Sequence, residues 1–227
     1  MPNAGDSMAA LYPFLYGDSQ ADLEKVLAEV RRSTAAKAVE IVELRRTVLA
    51  RDGARLAACA NAMAARFAAG GRLFAFGNGG SSTDAQEVAT TFLHPPGGRP
   101  LPALSLAADV AVVTALSNDV GFEVVFARQL AAFGRRTDIA FGLSTSGGSA
   151  NVVRAFEEAD RLGMLTVGLA GYDGGKLAEL GTIDHLFTIP SPSVHRIQEA
   201  QTTVYHVLWE LTQRALEGSR RVSRHTG

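Results

Sequence analysis

The sequence predicts an α/β fold in which helices cover a parallel sheet of five strands. Five short apolar runs recur between residues 73 and 189, and helix-length amphipathic stretches lie between most of them. Strands that alternate with helices are typical of a parallel sheet buried on both faces. The predicted strands are Leu73–Phe76, Ala103–Leu106, Ile139–Leu143, Leu165–Leu169 and His185–Ile189.

Two helices are predicted before the first strand. Ser19 and Asp22 resemble a capping box, and apolar residues at helical spacing continue from there towards Leu49. A second helix, rich in alanine, is predicted over Ala54–Ala69, where the pair Gly70-Gly71 ends it. Together these helices form a predicted N-terminal helical arm.

The later helices and the chain ends complete the predicted organisation. Amphipathic patterns predict helices over Ala150–Leu162 and His195–Leu216. The chain has no internal repeat, low-complexity tract or clear linker. We therefore expect a single domain over residues 19–217, preceded by an N-terminal extension at residues 1–18 and followed by a flexible basic tail at residues 218–227.

Composition excludes several classes of protein. Of the 227 residues 47% are hydrophobic and 20% are charged, and the formal net charge is −1. This balance gives no reason to expect a nucleic-acid or membrane surface. Cys59 is the only cysteine, which rules out an intramolecular disulfide. Since no apolar window approaches the roughly 20 residues that span a bilayer, we expect a cytoplasmic protein.

The first candidate ligand loop follows the first predicted strand. In an open parallel sheet, ligands bind at the carboxyl ends of the strands, beside helix N-termini. Glycines let a backbone approach a ligand, and serine hydroxyls can hold an anion. The loop has neither a Walker lysine nor the dinucleotide-binding glycine pattern, so a tight turn with a serine cap is the alternative. The loop reads Gly77-Asn78-Gly79-Gly80-Ser81-Ser82.

The second candidate loop follows the predicted strand Ile139–Leu143. Four hydroxyl side chains lie within six residues at the start of a helix, which suits a phosphate held by hydroxyls and helix N–H groups. Neither lysine nor arginine occurs in the loop, and a heavily capped helix is the alternative. The loop reads Ser144-Thr145-Ser146-Gly147-Gly148-Ser149.

Five motifs in order along the chain resemble one family. The chain is similar to the SIS (sugar isomerase) domain family, and within it to the phosphoheptose isomerases, from about Leu23 to about Gln213. The motifs are Gly77-Asn78-Gly79-Gly80-Ser81; Ser117-Asn118-Asp119 with Gly121-Phe122; Ser144-Thr145-Ser146-Gly147 with Ser149-Ala150-Asn151-Val152; Gly171-Tyr172-Asp173-Gly174-Gly175-Lys176; and Arg196-Ile197-Gln198-Glu199.

The resemblance implies a three-layer α/β/α sandwich and a homotetramer with active sites where subunits meet. It implies a phosphorylated sugar as ligand, and interconversion of sedoheptulose 7-phosphate and a heptose 7-phosphate through an enediol. Such a reaction needs a base for a carbon-bound proton and an acid at the carbonyl oxygen. The residues implied to bind substrate are Asn78, Gly79, Ser81, Asp119, Ser144, Thr145, Ser146, Ser149 and Gln198.

The chain departs from the family on the helix after the glycine loop. Active isomerases carry there a histidine and, one turn later, the glutamate thought to act as base. Counted from Gly77 without a gap, these positions are Glu87 and Thr91. Threonine cannot take a proton from carbon at neutral pH, whereas Gln198 and His206 match the family's residues on the last helix.

Two accounts of function fit this pattern. In the first, Glu87 acts as base from one turn earlier and His206 acts as acid; residues at i and i+4 share a helix face. In the second, the protein binds a sugar phosphate without turning it over, as a regulatory protein similar to the replication-initiator-associating relatives. The alternatives for the two side chains are a solvated helix glutamate and a packed core histidine.

Two further candidates concern metal and a loop. Some family members bind zinc at these positions, which makes Gln198, His206 and Glu87 candidate ligands, although the reaction requires no cofactor. His94 lies in the Pro95-Pro96 loop after the first sheet helix. It is a second candidate acid or base if that loop closes over the pocket; a rigid surface loop is the alternative.

Overall fold

The structure is a computed structural model that describes the backbone of residues 20–225 and the side chains of residues 23–218. Helices and strands alternate within this range as predicted. A short 3-10 helix, Phe122–Val124, precedes α4. In chain order the elements are α1 (Gln20–Ala68), β1 (Leu73–Phe76), α2 (Gly80–Leu93), β2 (Ala103–Ser105), α3 (Val110–Asp119), α4 (Val125–Phe133), β3 (Ile139–Ser144), α5 (Ala150–Arg161), β4 (Leu165–Gly171), α6 (Gly175–Glu179), β5 (His185–Ile189) and α7 (Val194–His225).

The five strands form one parallel sheet in the order β2-β1-β3-β4-β5. The prediction of a five-stranded parallel sheet within an α/β fold is confirmed. β1, β3 and β4 are buried along their whole length, as expected for strands covered on both faces. In the core the ring of Phe76 contacts Phe126 and Phe156, at centroid distances of 5.6 and 5.3 Å.

The chain adds strands first on one side of β1 and then on the other, while all the strands stay parallel. The chain passes from β1 to the edge strand β2, and then returns to the other side of β1 to form β3. A parallel sheet with this order has its ligand crevice at such a switch point, outside the carboxyl ends of the two strands. Both candidate ligand loops begin there.

The prediction of two separate N-terminal helices is wrong, because α1 runs unbroken from Gln20 to Ala68. A glycine inside a helix costs only about 1 kcal/mol, and Gly53 does not end it. Its neighbour Asp52 is fully buried and accepts hydrogen bonds from Arg51 and Arg55, each at 2.6 Å. Arg55 also donates to the carbonyl of Leu186 on β5. Arg55 therefore ties the helix to the sheet just after the point where the break was predicted.

The described contacts divide the chain into two compact units, residues 1–43 and 44–227. The predicted extension at residues 1–18 and the predicted cap at Ser19 lie outside the described residues. α7 continues past the predicted end at Leu216 to His225, while the side chains beyond Gly218 are not among those described. None of the described helices is long and apolar enough to cross a membrane.

Candidate active site

The two candidate loops lie next to each other at the switch point. Phe76 at the end of β1 is in register with Gly142 of β3. Beyond the strands, the side-chain amides of Asn78 and Asn151 form a reciprocal pair, with both N–O distances 2.8 Å. The pair joins the glycine loop to the first turn of the helix that follows the serine loop. The structure thus brings Asn78 together with the predicted phosphate loop.

The serine loop keeps its hydroxyl groups at the start of α5. Ser149 is the residue before the helix, yet its side chain makes no capping hydrogen bond. Its Oγ lies 3.2 Å from the Oγ of buried Ser144, and the Oγ of Ser146 accepts from the N–H of Gly148. The first N–H groups of a helix have no acceptor within the helix. Hydroxyls and N–H groups thus gather where an anion could bind, which the capped-helix alternative does not require.

Gly147 sets the path of this loop. Its φ is +64°, a conformation that favours glycine, and a Cβ atom here would lie 1.9 Å from the carbonyl oxygen of Gly174. The N–H of Leu177 donates to the carbonyl of Gly147, which fastens the serine loop to the loop after β4. Two of the family-like motifs therefore meet at this contact.

A polar face of α2 packs against α7. Gly80, Asp84, Glu87 and Thr91 recur at helical spacing along α2, so they lie on one face. On α7, Gln198, Thr202 and His206 follow one another at intervals of four residues, with Tyr205 beside them. The predicted residues Glu87, Gln198 and His206 are thereby brought to one interface between two helices.

Glu87 and His206 approach each other across this interface. His206 Nε2 lies 3.6 Å from Glu87 Oε1, and both side chains are part exposed, by 38% and 52%. His206 Nδ1 lies 2.9 Å from the carbonyl oxygen of Thr202. Because a carbonyl can only accept, Nδ1 carries the hydrogen, and Nε2 faces the carboxylate. The contact to Glu87 distinguishes His206 from a packed core histidine.

Asp84 was missed by the sequence-based interpretation. Its carboxylate lies 3.5 Å from Gln198 Nε2, within hydrogen-bond range at the long end. Burial raises the pKa of Asp84 to about 6, the Gln198 hydrogen bond opposes this, and the charge of Glu87 adds to it. The signal was its position three residues before Glu87, on the same helix face.

Tyr205 was also missed. Its side chain is 1% exposed, and its hydroxyl lies 3.4 Å from the Oγ1 of Thr202. Burial raises the pKa of Tyr205, and the nearby charges of Glu87 and Asp84 raise it further. The tyrosine is therefore a neutral hydroxyl close to two carboxylates. Its spacing of seven residues from Gln198, two helical turns, was the available signal.

The remaining predicted residues differ in their surroundings. Ser81 is 5% exposed, and its N–H donates to the carbonyl of Asn78 within the loop. Asp119 is exposed at the end of α3, where it accepts a hydrogen bond from Asn118 at 2.8 Å. His94 is exposed just after α2, and Thr91 is half-buried. Neither Asp119 nor His94 takes part in the contacts that join the two loops and the two helices.

The cluster does not form a metal site of the usual kind. Structural and catalytic zinc sites use at least three His, Cys, Asp or Glu ligands. Among the side chains that the structure describes, no group of three such residues is arranged to hold a metal ion. The interface supplies one imidazole nitrogen, two carboxylates and an amide that already faces Asp84. These residues, as placed here, do not fit zinc.

An apolar groove of about 840 Å³ lies apart from these residues, along α3, α4 and the edge strand β2. Leu104, Leu116 and Phe133 are among its lining residues, and none of the predicted site residues contributes to it. The groove is lined mainly by apolar side chains, and we assign it no part in the site.

Comparison with known proteins identifies the family of the chain. The profile of the SIS domain matches residues 38–171. A phosphoheptose isomerase of Geotalea daltonii is 40% identical over 169 residues, which cover 74% of this chain and 87% of the relative. One of Desulfovibrio desulfuricans is 44% identical over 179 residues, which cover 78% and 84%.

The fold has a solved counterpart as well. The phosphoheptose isomerase GmhA from Neisseria gonorrhoeae superposes with a TM-score of 0.74 at 33% identity, over 81% of this chain and 98% of that one. The profile match at residues 38–171 includes both candidate loops and α2. The chain therefore belongs to the SIS domain family, and within that family to the phosphoheptose isomerases.

Proposed function

We propose that the protein is an aldose–ketose isomerase that interconverts sedoheptulose 7-phosphate and a heptose 7-phosphate. Its relation to phosphoheptose isomerases, at 40% identity or more over most of the chain, supports the reaction class and substrate. The observation that carries the assignment of residues is the 3.6 Å contact between Glu87 and His206. This contact supports the assignment of a base and an acid to neighbouring side chains.

Substrate binding is assigned to the two loops at the switch point. The phosphate lies on the serine loop, where Ser144, Thr145, Ser146 and Ser149 provide hydroxyls beside the N-terminus of α5. Asn78 and Ser81 bind sugar hydroxyls with the backbone of Gly79, and Gln198 approaches from α7 over Gly80. Asp119 is a further proposed sugar contact, reached from the end of α3.

The isomerisation moves one proton between adjacent carbons. Glu87 takes the proton from C1 of the ketose, while the imidazolium of His206 donates its Nε2 proton to the carbonyl oxygen on C2. The enediol then receives a proton from Glu87 at C2, and His206 recovers a proton from the hydroxyl on C1. The Thr202 carbonyl holds the imidazole ring in the orientation that keeps Nε2 towards the reacting atoms.

Proton exchange at C1 tests the reaction. Incubation of the protein with sedoheptulose 7-phosphate in heavy water is expected to give exchange, and a new heptose phosphate, by NMR. Glu87→Gln and His206→Ala are each expected to lower kcat by a factor of about 100 or more, since each removes a general acid or base. Binding of inorganic phosphate should survive both changes, because neither residue lies on the serine loop.

The second candidate function is sugar-phosphate binding without turnover, favoured by threonine at position 91. In that case the parent protein binds sedoheptulose 7-phosphate, gives no exchange, and keeps its protein partner when His206 is changed. Thr91→Glu restores a carboxylate one turn after Glu87 on the same helix face. If this change creates exchange in an inactive parent, Glu87 is not the base and the pocket belongs to a lapsed enzyme.

Other properties stay predictions. The family implies a homotetramer with sites between subunits. Sequence patterns predict a cytoplasmic location, a single domain over residues 19–217 and a flexible basic tail at residues 218–227. Titration of zinc into the protein checks the conclusion that Gln198, His206 and Glu87, as placed here, do not fit the metal. No proton transfer proposed above is routed through a metal.

A further inference from the structure

The side-chain amide of Gln198 lies directly over Gly80, at the first turn of α2. A Cβ atom on residue 80 would lie 2.2 Å from Gln198 Nε2 and 3.3 Å from Oε1. The distance to Nε2 is far below van der Waals contact, so a side chain on residue 80 would displace the amide from this position. Because Gly80 has no side chain, the Gln198 amide lies close to the backbone of α2 at this point. This close approach fixes the position of the amide.

Asp84 lies one turn after Gly80 on the same face of α2. Its Oδ2 is 3.5 Å from Nε2 of Gln198. The last torsion of a glutamine side chain is broad and almost two-fold, so packing alone does not decide which end of the amide points where. A carboxylate only accepts hydrogen bonds, and it selects the orientation with the NH2 group towards it. The amide oxygen is then the end that faces away from Asp84.

We propose that Asp84 is a positioning residue, which acts with Gly80 to orient the Gln198 amide so that its oxygen accepts a hydrogen bond from a sugar hydroxyl. The inference rests on the proposed function for the identity of the ligand. Asp84 touches Gln198 and not the reacting carbons, so its removal alters substrate binding more than the proton transfers. Asparagine at position 84 can both donate and accept, and it leaves the orientation of Gln198 undecided.

The test compares four proteins: the parent, Asp84→Asn, Gln198→Ala and the double variant. Asp84→Asn is expected to raise KM for sedoheptulose 7-phosphate about tenfold, the effect of one hydrogen bond to a charged group, and to leave kcat nearly unchanged. In the Gln198→Ala background the same change should have no further effect on KM. A merely structural role would lower the melting temperature and kcat in both backgrounds alike.

Two variants serve as controls for this comparison. Asp160→Asn, an exposed carboxylate on α5, should leave KM unchanged. Gly80→Ala should raise KM as Asp84→Asn does, because its Cβ displaces the amide. The proposal is overturned if Asp84→Asn leaves KM unchanged, or if its effect persists in full without Gln198.

Two readouts separate this inference from the proposed function. Calorimetry of sedoheptulose 7-phosphate in the Glu87→Gln background measures the dissociation constant without turnover, and it remains informative if the parent is not an isomerase. The Gln198 side-chain 15N–1H signals, assigned by their loss in Gln198→Ala, need no ligand. They should shift in Asp84→Asn and stay in place in Asp160→Asn; unmoved signals in Asp84→Asn would contradict the orientation assigned to the amide.

Discussion

Asp84 is a residue whose surroundings oppose its ionisation. Its native pKa is about 6, against a usual value of 3.8, mainly because of burial. Below pH 4 the native and unfolded chains both hold the proton. As pH rises from 4 to above 6, the unfolded chain releases it first, so the free energy of unfolding falls across this window. Asp84→Asn removes this dependence, and at pH 8 the variant should be more stable than the parent by about 1 kcal/mol after allowance for solvent screening.

Urea denaturation of both proteins between pH 4 and pH 8 measures the difference. The gain should shrink towards zero at pH 4, and Asp160→Asn should show no such trend. A variant that is less stable than the parent at pH 8 would mean that the contact with Gln198 outweighs the cost of burial. If the Asp84→Asn variant is more stable than the parent and also has a higher KM, then Asp84 favours substrate binding at the expense of stability.

The position of individual residues was predictable where a loop motif directly follows a strand. Asn78, Ser144 and Ser149 were named from sequence, and the structure joins their two loops. Asp84 and Gly80 could not be assigned in this way. Their roles depend on the packing of α2 against α7, more than 100 residues apart in sequence, and helical spacing reveals a face but not its partner.

At the scale of elements, the serine loop depends on one glycine. Gly147→Ala forces a Cβ to within 1.9 Å of the Gly174 carbonyl, at a φ that disfavours alanine. We expect a loss of about 2 kcal/mol or more in the free energy of unfolding, because the loop must move or strain. Sugar-phosphate affinity should fall at least tenfold, since the hydroxyls move with the loop. Denaturant midpoints and calorimetry measure the two effects.

Gly148→Ala is the matched control for this loop. Here the nearest atom to a new Cβ is Ser146 Oγ, at an ordinary contact distance of 3.8 Å, and φ does not require glycine. Its stability should stay within about 0.5 kcal/mol of the parent. Equal losses in the two variants would show that the contact with Gly174 does not set the path of the loop.

Element boundaries show where sequence patterns fall short. The strands were predicted to within about two residues at their ends, because short apolar runs flanked by polar loops leave few alternatives. The break predicted in α1 was wrong, since Arg51 and Arg55 make long-range contacts to β5 and both also pair with buried Asp52. Such contacts place charged residues inside a helix, where the helix meets the sheet. A local sequence pattern cannot distinguish these residues from the polar residues of a turn.

At the scale of the whole molecule, α1 has an exposed apolar surface, to which seven of its described large side chains contribute. We expect copies of the chain to cover it, consistent with the predicted homotetramer, because contiguous exposed apolar residues mark interaction surfaces. The large apolar residues exposed along the helix are Leu23, Val26, Leu27, Val30, Val39, Val42 and Leu49.

Sedimentation equilibrium is expected to give four times the chain mass of 23.9 kDa. Leu27→Glu combined with Val30→Glu places two charges on the apolar face and should lower the mass. Arg31→Glu, an exposed position on the same helix, should leave the mass unchanged. A parent protein of 23.9 kDa would contradict the tetramer, and a tetramer that survives both glutamates would place the interface on another surface.

If the active sites lie between subunits, the dissociated variant should also lose isomerase activity. Asp84 and Gln198 should keep their contact in this variant, since both residues belong to one chain.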